Sequence, residues 1–138
     1  MNLPCKRRIL VVDDQPFIAK LVEVNLSRDE FVVMARGNPL EALANIDALA
    51  PDLMILDVRM PGMSGVELCR RLRQRANPCR VPIIILTAQG ETTTEAEARA
   101  AGADAFMTKP FSPKGLSAKI RDLLAASPSD ADSATCLA

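Results

Sequence analysis

Residues 53–65 read Leu-Met-Ile-Leu-Asp-Val-Arg-Met-Pro-Gly-Met-Ser-Gly, an apolar run that ends at Asp57 and then enters a Pro-Gly loop. Four consecutive apolar residues without alternation are typical of a strand covered on both faces, as in a parallel sheet flanked by helices. The carboxyl edge of such a sheet is where open α/β folds bind their ligands. We therefore predict that Asp57 lies at a ligand site, although an Asp in this position can also simply begin a turn.

Four other β-prone segments accompany this run, and helical patterns separate all five. The segments cover residues 9–12, 31–35, 53–56, 83–86 and 105–108. Strands that alternate with helices predict the α/β class, with a parallel sheet and helices on both of its faces.

The helices are predicted from apolar residues at spacings of three and four. The first helix, over residues 15–27, is expected to lay all of its apolar positions on the sheet: Phe17, Ile18, Leu21, Val22 and Val24. The second is expected as one helix that carries Leu40, Leu43, Ile46 and Leu49.

The three later helices differ in how strongly the sequence specifies them. The third buries Val66, Leu68, Cys69 and Leu72 and has a basic outer face made of Arg70, Arg71, Arg73 and Arg75. The fourth, over residues 91–101, has only Ala at its apolar positions, so little burial holds it before Gly102 ends it. The last carries the strongest stripe, which is formed by Leu116, Ile120, Leu123 and Leu124.

The composition indicates one globular domain with no strong charge bias. Of 138 residues, 49% are hydrophobic and 25% are charged, and 17 basic residues balance 17 acidic ones, which favours neither nucleic acid nor membrane as a direct partner. There is no secretory signal, membrane-length apolar run or CxxC pair, so we expect a cytoplasmic protein with reduced thiols. From Ser127 onward little can be buried, which predicts a domain over residues 1–126 and a flexible tail over residues 127–138.

Polar residues follow most of the predicted strands, and a parallel sheet would bring them to one edge. They are Asp13, Asp14, Asp57, Thr87 and Lys109. Carboxylates about 6 Å apart repel by roughly 3 kcal/mol per pair at an effective dielectric of about 20, so the empty site either raises the pKa of a carboxyl group or demands a cation. Oxygen ligands without any soft donor indicate Mg2+, which in turn implies a phosphate ligand.

In such a site Lys109 suits phosphoryl oxygens, Thr87 supplies a hydroxyl, and Asp57 is the candidate nucleophile for an aspartyl phosphate. The chain contains no His, so any histidine-based phosphate donor must be another protein. Asp14 is open to a second role as the N-cap of the first helix.

At these residues the chain resembles the receiver domains of two-component response regulators, particularly the single-domain chemotaxis-regulator type. The matching motifs are VVDDQ at 11–15, LDVRMPGMSG at 56–65, ILTA at 85–88 and AGADAFMTKPF at 101–111, within a match that runs from residue 8 to about residue 125. The resemblance implies a flavodoxin-like (βα)5 fold with strand order 2-1-3-4-5. It also implies that Asp57 is the phosphoacceptor, and that Mg2+ is held by Asp13, Asp14, Asp57 and the backbone carbonyl of Arg59.

The resemblance further implies how the domain signals. Thr87 moves toward the phosphoryl group and Phe106 turns inward, with an ordinary core role for Phe106 as the alternative. A cis peptide bond is expected before Pro110, and partners read the face made by the fourth helix, the last strand and the last helix. Arg59 and Gln89, two residues beyond Asp57 and Thr87, are implied to set the lifetime of the phosphorylated state.

The implied phosphate donor is a histidine kinase or a histidine phosphotransfer protein, and the implied target is an unidentified protein. The chain is expected to be a signalling domain rather than an enzyme, to be a monomer or weak dimer, and to act either alone or as the amino-terminal receiver of a longer protein. A haloacid-dehalogenase-like phosphatase is disfavoured, because it usually presents DxD after the first strand and carries a cap insertion. A flavodoxin would need a Ser/Thr-rich phosphate loop where this chain has Asp13 and Asp14.

Overall fold

The computed structural model describes residues 7–26, 31–60, 62–75, 80–87, 95–109 and 112–126. Five strands form one sheet: β1 Arg7–Val12, β2 Phe31–Arg36, β3 Leu53–Asp57, β4 Ile83–Thr87 and β5 Ala105–Thr108. The strands lie in the order β2-β1-β3-β4-β5, and every neighbouring pair is parallel. The α/β fold and the strand order 2-1-3-4-5 are thereby confirmed.

Apolar side chains cover both faces of the central strands, as their unalternated sequences predicted. Every residue of β3 and β4 is buried. Successive residues contribute in turn to two clusters, so that Met54 belongs to one core and Ile55 to the other. A fully buried side chain of this size contributes about 1.5–3 kcal/mol, so each face has a substantial core of its own.

Within the described ranges, the sheet is flanked by six helices: α1 Pro16–Asn25, α2 Pro39–Ala44, α3 Ile46–Leu49, α4 Gly65–Gln74, α5 Glu95–Ala100 and α6 Pro113–Ala126. Helices α1 and α6 share one core with the sheet, and the other four share the second. None of the helices in the described ranges is both long enough and apolar enough to cross a membrane.

Helix α1 is apolar on both of its sides. Ile18 and Val22 are buried against the sheet, whereas Phe17, Leu21 and Val24 are 54%, 36% and 68% exposed. The prediction that all five residues pack on the sheet was therefore wrong for three of them. Spacings of three and four recur on both sides of so apolar a helix, and they do not tell which side faces the sheet.

The segment predicted as one second helix is two short helices. Asn38 caps α2, because its side-chain oxygen accepts hydrogen bonds from the backbone N–H groups of Leu40 and Glu41. Helix α2 ends at Ala44 with Asn45 as its C-cap, α3 follows, and Ala50 then adopts a left-handed conformation with φ of 45°. Leu40 is half exposed and belongs to neither core, contrary to the predicted stripe.

The later helices follow their predicted patterns more closely. The predicted buried side chains of α4 and most of those of α6 are buried. In α5 only Ala98 is buried among the described residues, and Gly102, with φ of 108°, follows it. The predicted weak burial of this helix is confirmed, while its expected first turn, residues 91–94, and the predicted tail, residues 127–138, lie outside the described residues.

Arg73 of α4 was predicted to lie on a basic outer face. Its side chain instead forms hydrogen bonds with the segments that precede β4 and β5. Its guanidinium donates hydrogen bonds to the backbone oxygens of Gly102 and Val81 and to the carboxylate of Asp104. Asp104 also accepts the backbone N–H of Ile83 at 2.9 Å. The Arg73 side chain is only 19% exposed, so the outer-face assignment was wrong for this residue.

Candidate functional site

Three carboxylates and one ammonium group meet at the carboxyl edge of the sheet. Asp13 follows β1, Asp57 ends β3 and Lys109 follows β5, and their side chains are 2%, 7% and 18% exposed. Asp14 is exposed beside them. One carboxylate oxygen from each of the three acids lies within 4.8 Å of those of the other two. Residues far apart in the sequence are thus neighbours here because parallel strands all end at the same edge.

Lys109 lies between two of the acids. Its Nζ is 3.2 Å from Oδ1 of Asp57 and 3.3 Å from Oδ2 of Asp13. The backbone N–H of Lys109 donates to the carbonyl of Thr87 at 2.7 Å, which fixes the start of this segment against β4. Since one ammonium faces three carboxylates, the group carries excess negative charge when all of its members are ionised.

Burial raises the pKa of both Asp13 and Asp57 above the ordinary value of 3.8. For Asp57, the hydrogen bond and the charge of Lys109 oppose this rise, while the charge of Asp14 adds to it. For Asp13, the backbone N–H of Gln15 and Lys109 oppose the rise, and the charge of Asp57 adds to it. Both acids are therefore held where their ionised forms are disfavoured, a condition that a bound cation relieves.

Asp14 does not cap the first helix, contrary to the alternative role suggested by the sequence. The N-cap of α1 is Gln15, and its side chain makes no capping hydrogen bond. The carboxylate of Asp13 instead accepts the N–H of Gln15 at 2.8 Å. The start of α1 thereby orients Asp13. Asp14 is the exposed member of the three acids.

Hydrogen bonds at Val58 hold both ends of the loop that follows Asp57. The N–H of Val58 donates to the carbonyl of Leu86 on β4, and the carbonyl of Val58 accepts the N–H of Gly65, at 3.0 and 3.1 Å. Ser64 then caps α4 by accepting the N–H of Glu67 at 3.1 Å. Both ends of the segment that carries Arg59 are therefore fixed next to the sheet. Arg59 itself is exposed.

The remaining predicted site residues are only partly described. Thr87 is 4% exposed at the end of β4, where it lies beside Thr108 of β5. Phe106 lies beside Ile85 in the same pair of strands and is half-buried against the core on that face. Gln89 and Pro110 lie outside the described residues, so the expected gate and the cis peptide bond stay predictions.

These side chains fit a hard divalent cation. The group offers carboxylate oxygens only, which is the ligand type that Mg2+ prefers, and no sulfur or imidazole belongs to it. Its negative charge exceeds what Lys109 can balance. Asp13, Asp14 and Asp57 could thus hold the ion, and the backbone carbonyl of Arg59 is carried by the loop that begins next to Asp57.

Sequence reasoning missed two features of this site. It assigned Lys109 to phosphate but not to the simultaneous contact with Asp13 and Asp57. It also overlooked Gly65, which begins α4 directly against the backbone of Asp57. A glycine at the first position of a helix, where better helix formers are usual, was the available signal for such a close approach.

Comparison with known proteins gives one consistent result. Residues 9–121 match the family model described as the response regulator receiver domain. The phosphate regulon transcriptional regulatory protein PhoB of Rhizobium meliloti (strain 1021) is 44% identical over 119 residues, or 85% of this chain and 52% of that protein. The alkaline phosphatase synthesis transcriptional regulatory protein PhoP of Bacillus subtilis (strain 168) is 39% identical over 118 residues, or 86% of this chain and 48% of that protein.

The chain spans about half the length of these two relatives. Among solved structures, the chemotaxis response regulator CheY4 of Vibrio cholerae is similar with a TM-score of 0.75 and 29% sequence identity. That likeness covers 86% of this chain and 99% of the other.

Proposed function

Because the chain belongs to the response regulator receiver domain family, we propose that Asp57 accepts a phosphoryl group from a histidine kinase or a histidine phosphotransfer protein. The observation that carries this proposal is the position of Lys109, whose Nζ contacts both Asp57 and Asp13. An ammonium fixed beside a nearly buried carboxylate is suited to bind the oxygens of an incoming phosphoryl group.

In the proposed transfer, one carboxylate oxygen of Asp57 attacks the phosphorus of a phosphohistidine. The new P–O bond forms as the P–N bond breaks, and the imidazole nitrogen keeps the electron pair. Lys109 pairs with the phosphoryl oxygens, and the Thr87 hydroxyl donates to one of them. When bound by Asp13, Asp14, Asp57 and the Arg59 carbonyl, Mg2+ supplies the charge that neutralises these oxygens. No histidine base of the chain's own is required.

Phosphorylation is proposed to shift a two-state equilibrium at α5, β5 and α6. Thr87 moves toward the phosphoryl group and Phe106 turns inward, with the peptide bond before Pro110 in the cis form. The weak burial of α5, through Ala98 alone among its described residues, supports this proposal because elements that rearrange come from the least stable parts of a structure. Arg59 and Gln89 are proposed to control access of the hydrolytic water.

A protein donor is supported by the exposed apolar side chains of Phe17, Leu21 and Val24 on α1. This helix starts just after Asp13 and Asp14, so a partner that reaches Asp57 can also cover it.

The downstream target is an unidentified protein. We place the chain in the cytoplasm, as a monomer or weak dimer whose domain ends near residue 126 and is followed by a flexible tail.

The two relatives are named transcriptional regulatory proteins, and they are about twice as long as the matched region. The chain can therefore be either a stand-alone regulator or the receiver of a longer protein. We propose that residues 1–138 themselves do not contact nucleic acid, since their acidic and basic residues balance. An aspartyl phosphatase is the rival function, but Asp57 ends the third strand rather than the first.

The direct test is incubation with acetyl phosphate or a phosphorylated phosphotransfer protein in the presence of Mg2+, followed by intact-mass measurement. The wild type should gain one phosphoryl group per chain, and Asp57→Asn should gain none. Asp122→Asn, on the exposed side of α6, is the matched control and should behave as the wild type. Incorporation at an undiminished rate in Asp57→Asn would falsify the assignment, and turnover of generic phosphate esters would favour the phosphatase.

A further inference from the structure

We propose that Gly65 is a positioning residue for the phosphoacceptor site. Its missing side chain lets the first turn of α4 lie directly on the backbone of Asp57, which sets the position of that carboxylate and of the loop carrying Arg59. This inference rests on the proposed function insofar as it concerns phosphoryl transfer.

The space beside Gly65 is occupied by the backbone of the neighbouring strand. A Cβ atom at residue 65 would lie 2.1 Å from the carbonyl oxygen and 2.9 Å from the carbonyl carbon of Asp57. These atoms cannot move aside freely, because Asp57 ends β3 in register with Leu86 of β4. Any side chain at residue 65 must therefore separate α4 from the end of β3.

The requirement at Gly65 is one of space rather than of backbone conformation. Gly62 and Gly102 have positive φ values, whereas Gly65 does not. Gly37 also lies near the site, yet a Cβ there would be 3.8 Å from the carbonyl oxygen of Asp13, an ordinary contact distance. Among glycines near the acids, a methyl group is thus tolerable at residue 37 and not at residue 65.

Separation of α4 from β3 would disturb the site through two connections. The N–H of Gly65 holds the carbonyl of Val58, so its displacement opens the loop that begins next to Asp57 and carries the Arg59 carbonyl. The carboxylate of Asp57 lies 3.2 Å from Nζ of Lys109, near the long end of the hydrogen-bond range. A shift of a few tenths of an ångström is enough to take these two atoms beyond hydrogen-bond distance and to weaken their ion pair.

The test compares Gly65→Ala with Gly37→Ala by calorimetric titration with Mg2+ and by the rate of phosphorylation with acetyl phosphate. Loss of a group that orients a metal site typically costs roughly 10- to 100-fold in affinity or activity. We expect a loss of that size in Mg2+ affinity for Gly65→Ala, with the maximal phosphorylation rate reduced and the acetyl phosphate concentration that gives half of this rate little changed. Gly37→Ala should remain close to the wild type in each measurement.

A variant of α4 that adds no atom near Asp57 separates positioning from stability. Ser64→Ala removes the cap on Glu67 and weakens the start of the same helix. If Gly65 were merely structural, folded Gly65→Ala would bind Mg2+ as tightly as folded Ser64→Ala, and that result overturns the proposal.

If Gly65→Ala is unfolded in buffer, the titrations of all variants are repeated with trimethylamine N-oxide, which favours the compact state. A variant that stays unfolded there assigns Gly65 to folding alone and also overturns the proposal. The Mg2+ titration does not depend on phosphorylation, so a wild type that binds Mg2+ but accepts no phosphate would refute the proposed function and leave the positioning test intact.

Discussion

Replacement of Asp13 by Asn should stabilise the protein at neutral pH when no metal is bound. The amide is nearly isosteric with the carboxylate, and its oxygen can still accept the N–H of Gln15. The substitution removes a nearly buried negative charge that lies close to two other carboxylates. It also removes the attraction between Asp13 and Lys109. Whether the free energy of unfolding rises or falls therefore depends on which of the two effects is larger.

Distances in the site allow these effects to be compared. At 3.3 Å and an effective dielectric of about 20, Lys109 attracts Asp13 by about 5 kcal/mol. Each of the other two carboxylates, with an oxygen within 4.8 Å, repels it by about 3.5 kcal/mol or more at the same dielectric, so the repulsion already offsets the attraction to Lys109. Burial of an ion adds several kcal/mol of unfavourable desolvation, which makes the net effect of this charge destabilising. We expect a gain on the order of 1–2 kcal/mol in the free energy of unfolding, or roughly 3–8 °C in Tm.

The assay is urea unfolding followed by far-UV circular dichroism, because the chain contains neither Trp nor Tyr. The pKa of Asp13 in the folded protein lies above the ordinary value of 3.8. The folded state therefore binds more protons than the unfolded state between these two values, and the wild type loses stability as the pH rises through that window. Below pH 3.8 the acid is protonated in both states, so the difference between wild type and variant should shrink.

Saturating Mg2+ should reverse the order, because the wild type gains stability from binding and the variant gains less. Asp122→Asn, an exposed acid on α6, serves as the control and should leave stability unchanged. A metal-free Asp13→Asn protein that is less stable than the wild type at neutral pH would refute the reasoning, since it would mean that the ion pair with Lys109 outweighs burial and repulsion.

Three further predictions concern other parts of the molecule. Arg73→Met should lower the free energy of unfolding by about 2–4 kcal/mol, because two backbone carbonyls and a carboxylate lose their hydrogen bonds from the guanidinium. Arg70→Met, on the exposed side of the same helix, should change urea stability very little, and equal losses would contradict the role given to Arg73. Substitution of Arg59 or Gln89 should change the dephosphorylation rate more than the Mg2+ affinity; equal lifetimes in all variants would count against their role. Phe17→Ser should slow transfer from a protein donor but not from acetyl phosphate, and an equal effect on both donors would argue against docking on α1.

The sheet could be predicted from the sequence because its central strands are buried on both faces. Residues 53–56 and 83–86 are apolar without alternation, a pattern that parallel strands between two layers of helices produce. The order of the strands came from the family resemblance alone. Nothing in the apolar pattern indicates that β1 lies between β2 and β3 rather than at an edge.

Features that depend on contacts between distant residues could not be predicted. Arg73 occupies a position in the sequence that suits a solvent-exposed basic face. Its partners Val81, Gly102 and Asp104 are brought against α4 only by the fold. Helix α1 shows the opposite failure, since Phe17 and Val24 follow the spacing of core residues yet face away from the sheet. Local spacing reports that a helix is apolar, and the tertiary structure decides which side is covered.

The grouping of the acids with the lysine could be predicted from the sequence more readily than these contacts, because it follows from the rule that parallel strands end at one edge. Asp13, Asp57 and Lys109 each stand at or just after the end of a strand that the sequence predicts. What the rule could not supply is their spacing, which is closer than the value of about 6 Å used for the repulsion estimate. It also could not indicate that Asp13, rather than Asp14, receives the N–H at the start of α1.

The contact made by Lys109 also restricts when the site can exist. Lys109 is separated from Asp13 by 96 residues and from Asp57 by 52. During synthesis the three acids and three of the five strands leave the ribosome long before the lysine does. A nascent or truncated chain that stops short of residue 109 has the acids but no ammonium group to join them. Under the proposed function, such a chain lacks the group that would bind the phosphoryl oxygens, so we expect that incomplete translation products take up no phosphate.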